Sequence, residues 1–222
     1  MSRAYFIYAF MIFLNLSFFF FNLRKFQKSS LETVQTPKTN STQTITKNMT
    51  IVYKGSLCLA PMVRAGNLPT RLLALNHGAD LVWSPEIIDK KIIQCTRFVN
   101  EETQTIDYLA PIPENRKHIA DAVPELVFRT DMKGREKGKL IFQVGTSDPE
   151  LAVQAALKVI DDVDGIDVNS GCPKPFSVHS GCGAALLRTP DKLVAILTNL
   201  VTRVGSPNKK PISVKIRILE ND

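Results

Sequence analysis

The sequence predicts an α/β protein that forms part of a (β/α)8 TIM barrel, with about five of the eight strands. Three observations predict this fold. From residue 49 onward, apolar runs of strand length alternate with segments of helical periodicity, which indicates a parallel sheet. These runs are almost continuously apolar, as in strands that are buried on both faces. No glycine-rich dinucleotide-binding fingerprint follows the first run, so a doubly wound sheet is the weaker alternative.

The first part of the pattern contains two strands, a helix and a hairpin. The apolar run 57–62 ends at a proline and predicts strand one, and residues 68–78 predict a helix through their spacing and terminal glycine. Residues 79–85 predict strand two. Residues 92–99 and 104–109 predict an extended excursion, a hairpin with a polar turn between its arms.

Three more strands and two helices follow. Residues 139–145 predict strand three, and residues 148–161 predict a helix with a proline and acidic residues in its first turn. Residues 165–171 predict strand four. The next helix lies within 184–204, and residues 211–218 predict strand five.

Residues 1–48 form a separate segment before the barrel. Residues 4–23 carry no charge and are long enough to cross a hydrocarbon layer of about 30 Å as a helix. The heavier positive flank on their C-terminal side favours a membrane anchor with the following domain in the cytoplasm. A targeting segment, or translation that starts at Met49, explains the same residues, and the sequence leaves these alternatives open. Residues 29–48 are rich in Ser, Thr, Asn and Gln and predict a disordered linker.

The net charge of +7 does not by itself indicate nucleic-acid binding. Residues 1–48 hold six basic residues and one acidic residue, whereas residues 49–222 are nearly balanced, with 22 basic and 20 acidic residues. The four cysteines form no CxxC pair, and the three histidines are not spaced with them as zinc ligands. We therefore expect no metal, and free thiols in a reducing compartment.

In a parallel barrel the active site lies at the carboxyl ends of the strands. This rule selects residues from all five predicted strands. They are Pro61 and Met62 at the end of strand one, Glu86 at the end of strand two, Gln143 in strand three, Asn169 in strand four with Cys172 just after it, and Lys215 in strand five.

Three of these side chains suit a flavin and a redox reaction. The pyrimidine edge of a flavin presents alternating donors and acceptors, and the amide of Gln143 can satisfy both kinds. Reduced flavin carries negative charge near N1, which the ammonium group of Lys215 can offset. Cys172 lies in a turn flanked by glycine and proline, where its thiol could act as an acid or a nucleophile. Cysteines are more often small buried hydrophobes, which is our interpretation of Cys58 and Cys95.

Four segments together resemble the tRNA-dihydrouridine synthase family in order and spacing. They read CLAPMVRAGNLPTRLLALNHGADLVWSPEIIDKKI from residue 58, IFQVGTSDPELAVQAA from 141, DGIDVNSGCPKPFSVHSGCGAALLRTPDKL from 164 and PISVKIRI from 211. The most specific motif is N-S-G-C-P-K followed by G-A-A-L-L. Residues 64–88 and 167–187 look most like the eukaryotic class that acts on uridine 20 of the tRNA D loop, and the resemblance covers residues 49–222.

The resemblance implies an FMN-dependent enzyme that uses NADPH to reduce uridine in tRNA. The flavin would pass a hydride to C6 of a uracil flipped into the barrel mouth, and the proton for C5 would come from Cys172. The other implied contacts are Pro61 and Met62 with the isoalloxazine through their backbone, Gln143 and Lys215 with the flavin, and Asn169 with the uracil or flavin edge. The role of Arg217 is open.

One departure from the family pattern limits these expectations. The family's histidine motif after strand six, its glycine-rich phosphate loops and its C-terminal helical RNA-binding domain do not occur in residues 49–222. We therefore expect a truncated flavin-binding barrel that holds FMN weakly. Two alternatives are a flavin barrel acting on a free pyrimidine, like dihydroorotate dehydrogenase, and an inactive fragment with only a binding or membrane role through residues 4–23.

Overall fold

The computed structural model describes residues 51–119, 121–174, 177 and 179–217. In this part of the chain, five parallel strands form one sheet and three antiparallel strands form a second. The strands are β1 (Cys58–Leu59), β2 (Leu81–Ile88), β3 (Thr96–Asn100), β4 (Thr105–Ala110), β5 (Glu125–Asp131), β6 (Leu140–Gly145), β7 (Gly165–Ser170) and β8 (Ile212–Ile216). The α-helices are α1 (Leu68–Asn76), α2 (Asp89–Ile93), α3 (Pro149–Val159), α4 (Pro190–Leu200) and the short α5 (Ser206–Asn208).

The parallel sheet is curled into half of a barrel. Its order is β1, β2, β6, β7, β8, so its strands are neighbours in the order in which the chain visits them. Helices α1, α3 and α4 lie between successive strands, which is the arrangement of a (β/α)8 barrel. The predicted fold class is confirmed, and a strand is present at each of the five predicted places.

Helices α1 and α3 begin where side chains cap their free backbone N–H groups. The Asn67 side chain accepts a hydrogen bond from the backbone N–H of Thr70 at 3.2 Å at the start of α1. The Asp148 carboxylate accepts from the backbone N–H groups of Glu150 and Leu151 at 2.8 and 2.9 Å at the start of α3. A proline in the first turn of each helix also favours its start.

The two faces of the sheet pack against different partners. Outward side chains such as Phe142, Val144 and Val168 are buried in one large core with α3 and α4. Inward side chains alternate with them, because successive residues of a strand point to opposite faces. The base of the inner face is apolar and is formed by Ile51, Leu81, Trp83 and Ile141.

The three-stranded sheet is an insertion between β2 and β6. The predicted hairpin is confirmed as β3 and β4, but β5, which pairs with β4, was not predicted. Ile92 and Ile93 lie in α2 and not in an extended arm, which corrects the prediction for 92–99. Strand β2 also runs past its predicted end to Ile88. Its register is irregular between Trp83 and Glu86, where Pro85 cannot donate a ladder hydrogen bond.

A buried arginine fastens the insertion to α1. Arg71 donates from Nε to Glu136 Oε1 at 2.6 Å, and its other nitrogens donate to the carbonyl oxygens of Gly66 and Arg129. Its guanidinium group also lies 5.6 Å from the centre of the Phe128 ring. Arg71 and Glu136 are almost fully buried, so each needs the other as its charge partner.

The predicted anchor at 4–23 and the predicted linker at 29–48 lie outside the described residues. In the part of the chain that is described, no helix has the length and apolar character needed to cross a membrane.

Candidate active site at the carboxyl ends of the strands

The strand register brings three predicted site residues to one face of the sheet. In a parallel pair, residues in register point to the same side. Gln143 on β6 is in register with Asp167 on β7, and two residues further along β7 Asn169 is in register with Lys215 on β8. Gln143, Asn169 and Lys215 therefore share the inner face above the apolar base.

A buried carboxylate lies at the centre of this face. Asp167 is fully buried, and its Oδ2 accepts a hydrogen bond from Gln143 Nε2 at 2.7 Å. Its Oδ1 accepts from the Ser213 hydroxyl, also at 2.7 Å. Burial raises the pKa of Asp167 to about 6, although hydrogen bonds from Gln143, Ser213 and Trp83 and the charge of Lys215 act in the opposite direction.

A second carboxyl group lies beside Asn169. Burial raises the pKa of Glu86, while a hydrogen bond from Asn169 and the charge of Lys174 lower it. A Cβ atom at Gly145 would lie 2.5 Å from Glu86 Oε1, so the carboxyl group is packed closely over the end of β6. Glu86 Oε1 is buried and has no hydrogen-bond partner among the described residues, so a donor from a bound molecule could complete it.

Asn169 fixes the turn that carries Cys172. Its side-chain oxygen accepts hydrogen bonds from the backbone N–H groups of Gly171 and Cys172 at 3.0 and 3.2 Å. The side-chain oxygen of Asn169 is thus already hydrogen-bonded to the protein backbone. Asn169 therefore turns the chain at the end of β7 and sets where Cys172 begins its loop.

Cys172 is partly exposed, and two hydrogen bonds connect it to described residues further along the chain. The buried Ser177 hydroxyl donates to Cys172 Sγ at 3.4 Å, and the Ala184 N–H donates to the Cys172 carbonyl oxygen at 2.9 Å. Gly183 has a φ of +62°, and a Cβ there would lie 2.6 Å from the same carbonyl oxygen. This position requires glycine because both the φ angle and the close approach exclude a side chain.

Pro61 and Met62 follow β1 at the same end of the sheet. The Met62 carbonyl oxygen accepts from the backbone N–H groups of Ala65 and Gly66 at 3.2 and 2.9 Å. A Cβ at Gly66 would lie 3.0 Å from the Pro85 nitrogen, which shows that this turn packs directly beside Pro85 of β2. The Met62 side chain is exposed.

The other three cysteines and Arg217 make contacts that support the fold. Cys95 is buried in the core, as interpreted from the sequence, and Cys58 is only partly buried. Burial raises the pKa of the Cys182 thiol. Arg217 Nε donates to the Gly171 carbonyl oxygen at 3.0 Å and so supports the turn before Cys172. Within the described part of the chain, no group of His, Cys, Asp and Glu side chains could hold a metal ion.

Sequence reasoning missed Asp167 and did not foresee the unpartnered oxygen of Glu86. The alternation of residues in a strand would have found Asp167, because it shares the parity of Asn169 and therefore its face. The position of Glu86 depends on the register irregularity in β2, which the sequence does not reveal.

The fold and the candidate site together define a protein with half of a (β/α)8 barrel and polar side chains at the carboxyl ends of its strands. These are two carboxyl groups, two amides and a lysine, with a thiol on the loop after β7. The family model for dihydrouridine synthase (Dus) matches residues 80–222. The chain belongs to the dihydrouridine synthase family, as its motifs predicted.

Similar curated proteins agree with this assignment. The chain is 63% identical over 171 residues to tRNA-dihydrouridine(20) synthase (NAD(P)+) of Saccharomyces cerevisiae, a match that covers 77% of this chain and 43% of the relative. It is 51% identical to the protein of that name in Schizosaccharomyces pombe, covering 76% of this chain and 33% of the relative. A tRNA-dihydrouridine(20a/20b) synthase of Schizosaccharomyces pombe is 29% identical, over 71% of this chain and 39% of its own length. The chain spans less than half the length of these relatives.

Proposed function

We propose that this chain carries the catalytic part of an enzyme that reduces uridine 20 of tRNA to dihydrouridine with FMN and NADPH. The observation that supports uridine 20 as the substrate is the sequence identity of the chain to relatives named for different tRNA positions. The two relatives named for position 20 are 63% and 51% identical, whereas relatives named for other positions are about 30% identical. The polar residues at the barrel end support the chemistry.

The donors and acceptors at this end suit FMN. An amide at Gln143 and an ammonium group at Lys215 match the pyrimidine edge of the flavin and the negative charge of its reduced form. Pro61 and Met62 would border the isoalloxazine at the end of β1. The unpartnered Glu86 Oε1 offers an acceptor for a bound donor. When bound and reduced by NADPH, FMN supplies the hydride for C6 of the uracil.

Cys172 is the proposed proton donor to C5 of the uracil. Cys172 follows β7 and is partly exposed, and its sulfur accepts a hydrogen bond from the buried Ser177 hydroxyl. A positioned acid of this kind contributes roughly 100-fold to 10,000-fold to rate. Asn169 sets the start of the loop after β7 through its side-chain oxygen, and its amide nitrogen faces the Glu86 side of the site, where the substrate edge would lie.

The dihydrouridine content of tRNA tests the proposal. The chain is expressed in a host without its own position-20 synthase, and dihydrouridine at position 20 is measured by mass spectrometry. We expect the wild type to restore it and Cys172→Ala to lower the initial rate at least about 100-fold, because the proton donor is lost.

Cys58→Ala is the matched control. Cys58 is also a partly exposed thiol, but it lies on β1 and its Sγ donates to the backbone oxygen of Ser56. This variant should keep the wild-type rate. Equal rates for wild type and Cys172→Ala would refute the proton-donor role. Reduction of free orotate but not of tRNA would favour the free-pyrimidine alternative.

A further inference from the structure

Asp167 is a buried carboxylate in the candidate site to which the proposed reaction gives no role. It is fully buried on the inner face, between the apolar base and the level of Asn169 and Lys215. Its two oxygens accept from Gln143 and Ser213 at 2.7 Å each. A buried carboxylate is costly unless it is hydrogen-bonded, so these bonds hold Asp167 firmly against its neighbours.

The chemistry of a carboxylate fixes the orientation of the neighbouring amide. An ionised carboxylate only accepts hydrogen bonds, so the group that Gln143 turns toward Asp167 must be its NH2. This orientation follows from the hydrogen-bonding capacity of the two groups alone. The Gln143 oxygen is therefore turned away from Asp167.

The backbone of Gln143 is fixed as well, so the side chain has little freedom to compensate. Its N–H donates to the Ser84 hydroxyl at 2.9 Å, and the residue is only 2% exposed. With backbone and amide nitrogen both held, Gln143 can offer its oxygen as an acceptor in one direction only. A flavin presents an imide edge with an N–H between two carbonyl groups, and that N–H needs such an acceptor.

We propose that Asp167 is a positioning residue that orients the Gln143 amide so that its oxygen accepts the N3–H of the flavin. The proposal rests on the proposed function, since it requires Gln143 to contact FMN. Asp167 acts through Gln143 and does not itself touch the cofactor.

The substitution Asp167→Asn should invert the Gln143 amide. The new side chain would offer one oxygen and one NH2, and Ser213 would still donate to the oxygen. The NH2 would then face Gln143, whose oxygen would turn toward it. The Gln143 NH2 would face the flavin N3–H, donor against donor, and the acceptor for that N–H would be lost.

A double-mutant cycle on FMN affinity tests this. FMN is titrated into the purified full chain, and its dissociation constant is measured by flavin fluorescence for wild type, Asp167→Asn, Gln143→Met and the double variant. We expect Asp167→Asn to weaken binding roughly 10-fold in the wild-type background. In the Gln143→Met background it should change binding less than about twofold, because Asp167 acts only through Gln143.

Two controls distinguish a change in the orientation of the Gln143 amide from a general disturbance of the site. Ser213→Ala removes one of the other hydrogen bonds to Asp167 but leaves its contact with Gln143, so FMN affinity should stay within about twofold of wild type. Bound FMN labelled with 15N at N3 should show a protected N3–H signal in the wild-type complex and not in Gln143→Met. This signal tests the contact between the Gln143 oxygen and N3–H, on which the positioning role depends, even if Asp167→Asn does not fold.

The possible failures are distinguishable. Equal weakening by Asp167→Asn in both backgrounds, or equal weakening by Ser213→Ala, would overturn the positioning role alone. So would an unprotected N3–H in the wild-type complex. FMN binding that is unaffected by Gln143→Met, or absent from the wild type, would overturn the flavin contact of the proposed function and the positioning role with it.

Discussion

At the scale of single residues, the inner face holds two carboxyl groups whose pKa values are both raised, in each case mainly by burial. These are Asp167 and Glu86, and the charges of Lys215 and Lys174 act in the opposite direction. Both carboxyl groups therefore lie where water solvates their charged forms poorly. Such perturbed groups are typical of functional sites, because a structural core has little use for them.

The raised pKa of Asp167 predicts a pH dependence of stability. A carboxyl group whose pKa is about 6 when folded and about 3.9 when unfolded binds its proton more tightly in the folded state. Its stabilising contribution is complete below the unfolded pKa and is lost as the pH rises through about 6. Lowering the pH from 7.5 to 5 should therefore stabilise the wild type by about 1 kcal/mol relative to Asp167→Asn.

Urea unfolding of both proteins at the two pH values measures this difference. Every other titrating group is common to the two chains, so its effect cancels. An unchanged difference between pH 7.5 and pH 5, or a difference of opposite sign, would mean that Asp167 titrates normally in the folded protein.

At the scale of elements, the barrel strands were predictable and the insertion was only partly so. Strands β6 and β7 are apolar runs buried on both faces, which is a strong signal in the sequence. Strand β5 forms by pairing with β4 and is partly exposed along its length. Its sequence therefore lacks the continuous apolar run that marks a strand buried on both faces. Strand two was predicted to end at residue 85, but β2 continues to Ile88 past a register irregularity at Pro85.

The site was predictable to a similar degree. The rule that active sites lie at strand ends selects Gln143, Asn169 and Lys215, because it needs only the positions of the strands. It does not reveal that the Asn169 oxygen is used by the backbone, or that Gln143 is held by Asp167. The first contact depends on the local turn after β7, and the second depends on the register between two strands that are distant in sequence.

The buried ion pair between Arg71 and Glu136 should contribute to the free energy of unfolding. Arg71→Met leaves the Glu136 carboxylate buried without its partner and should lower the free energy of unfolding by about 3–5 kcal/mol. Urea unfolding measures it. Adding Glu136→Leu should recover much of the loss, because no unpaired charge then stays buried.

Lys117→Met is the control for loss of an ion pair, since Lys117 and Glu114 form an exposed pair. It should change the free energy of unfolding by less than about 1 kcal/mol. A similarly small effect of Arg71→Met would show that α1 and the insertion do not depend on this contact.

At the scale of the whole molecule, the described residues supply one continuous half of a barrel with its polar end assembled. Its sheet has β1 and β8 at the edges. Lys215 lies in β8, and β1 leads into the turn that contains Pro61 and Met62. The groups expected to face the flavin therefore come from strands β6, β7 and β8 and from the backbone of the turn after β1. The account depends on these four places acting as one flavin site.

Flavin binding by Lys215→Met tests that dependence most directly. The purified chain is titrated with FMN and binding is followed by flavin fluorescence, with Lys192→Met, an exposed lysine of α4, as the matched control. The account predicts saturable binding by the wild type and Lys192→Met, and roughly 10-fold weaker binding by Lys215→Met, because a charge-assisted contact is lost. Equal binding by all three proteins, or no saturable binding by the wild type, would contradict it.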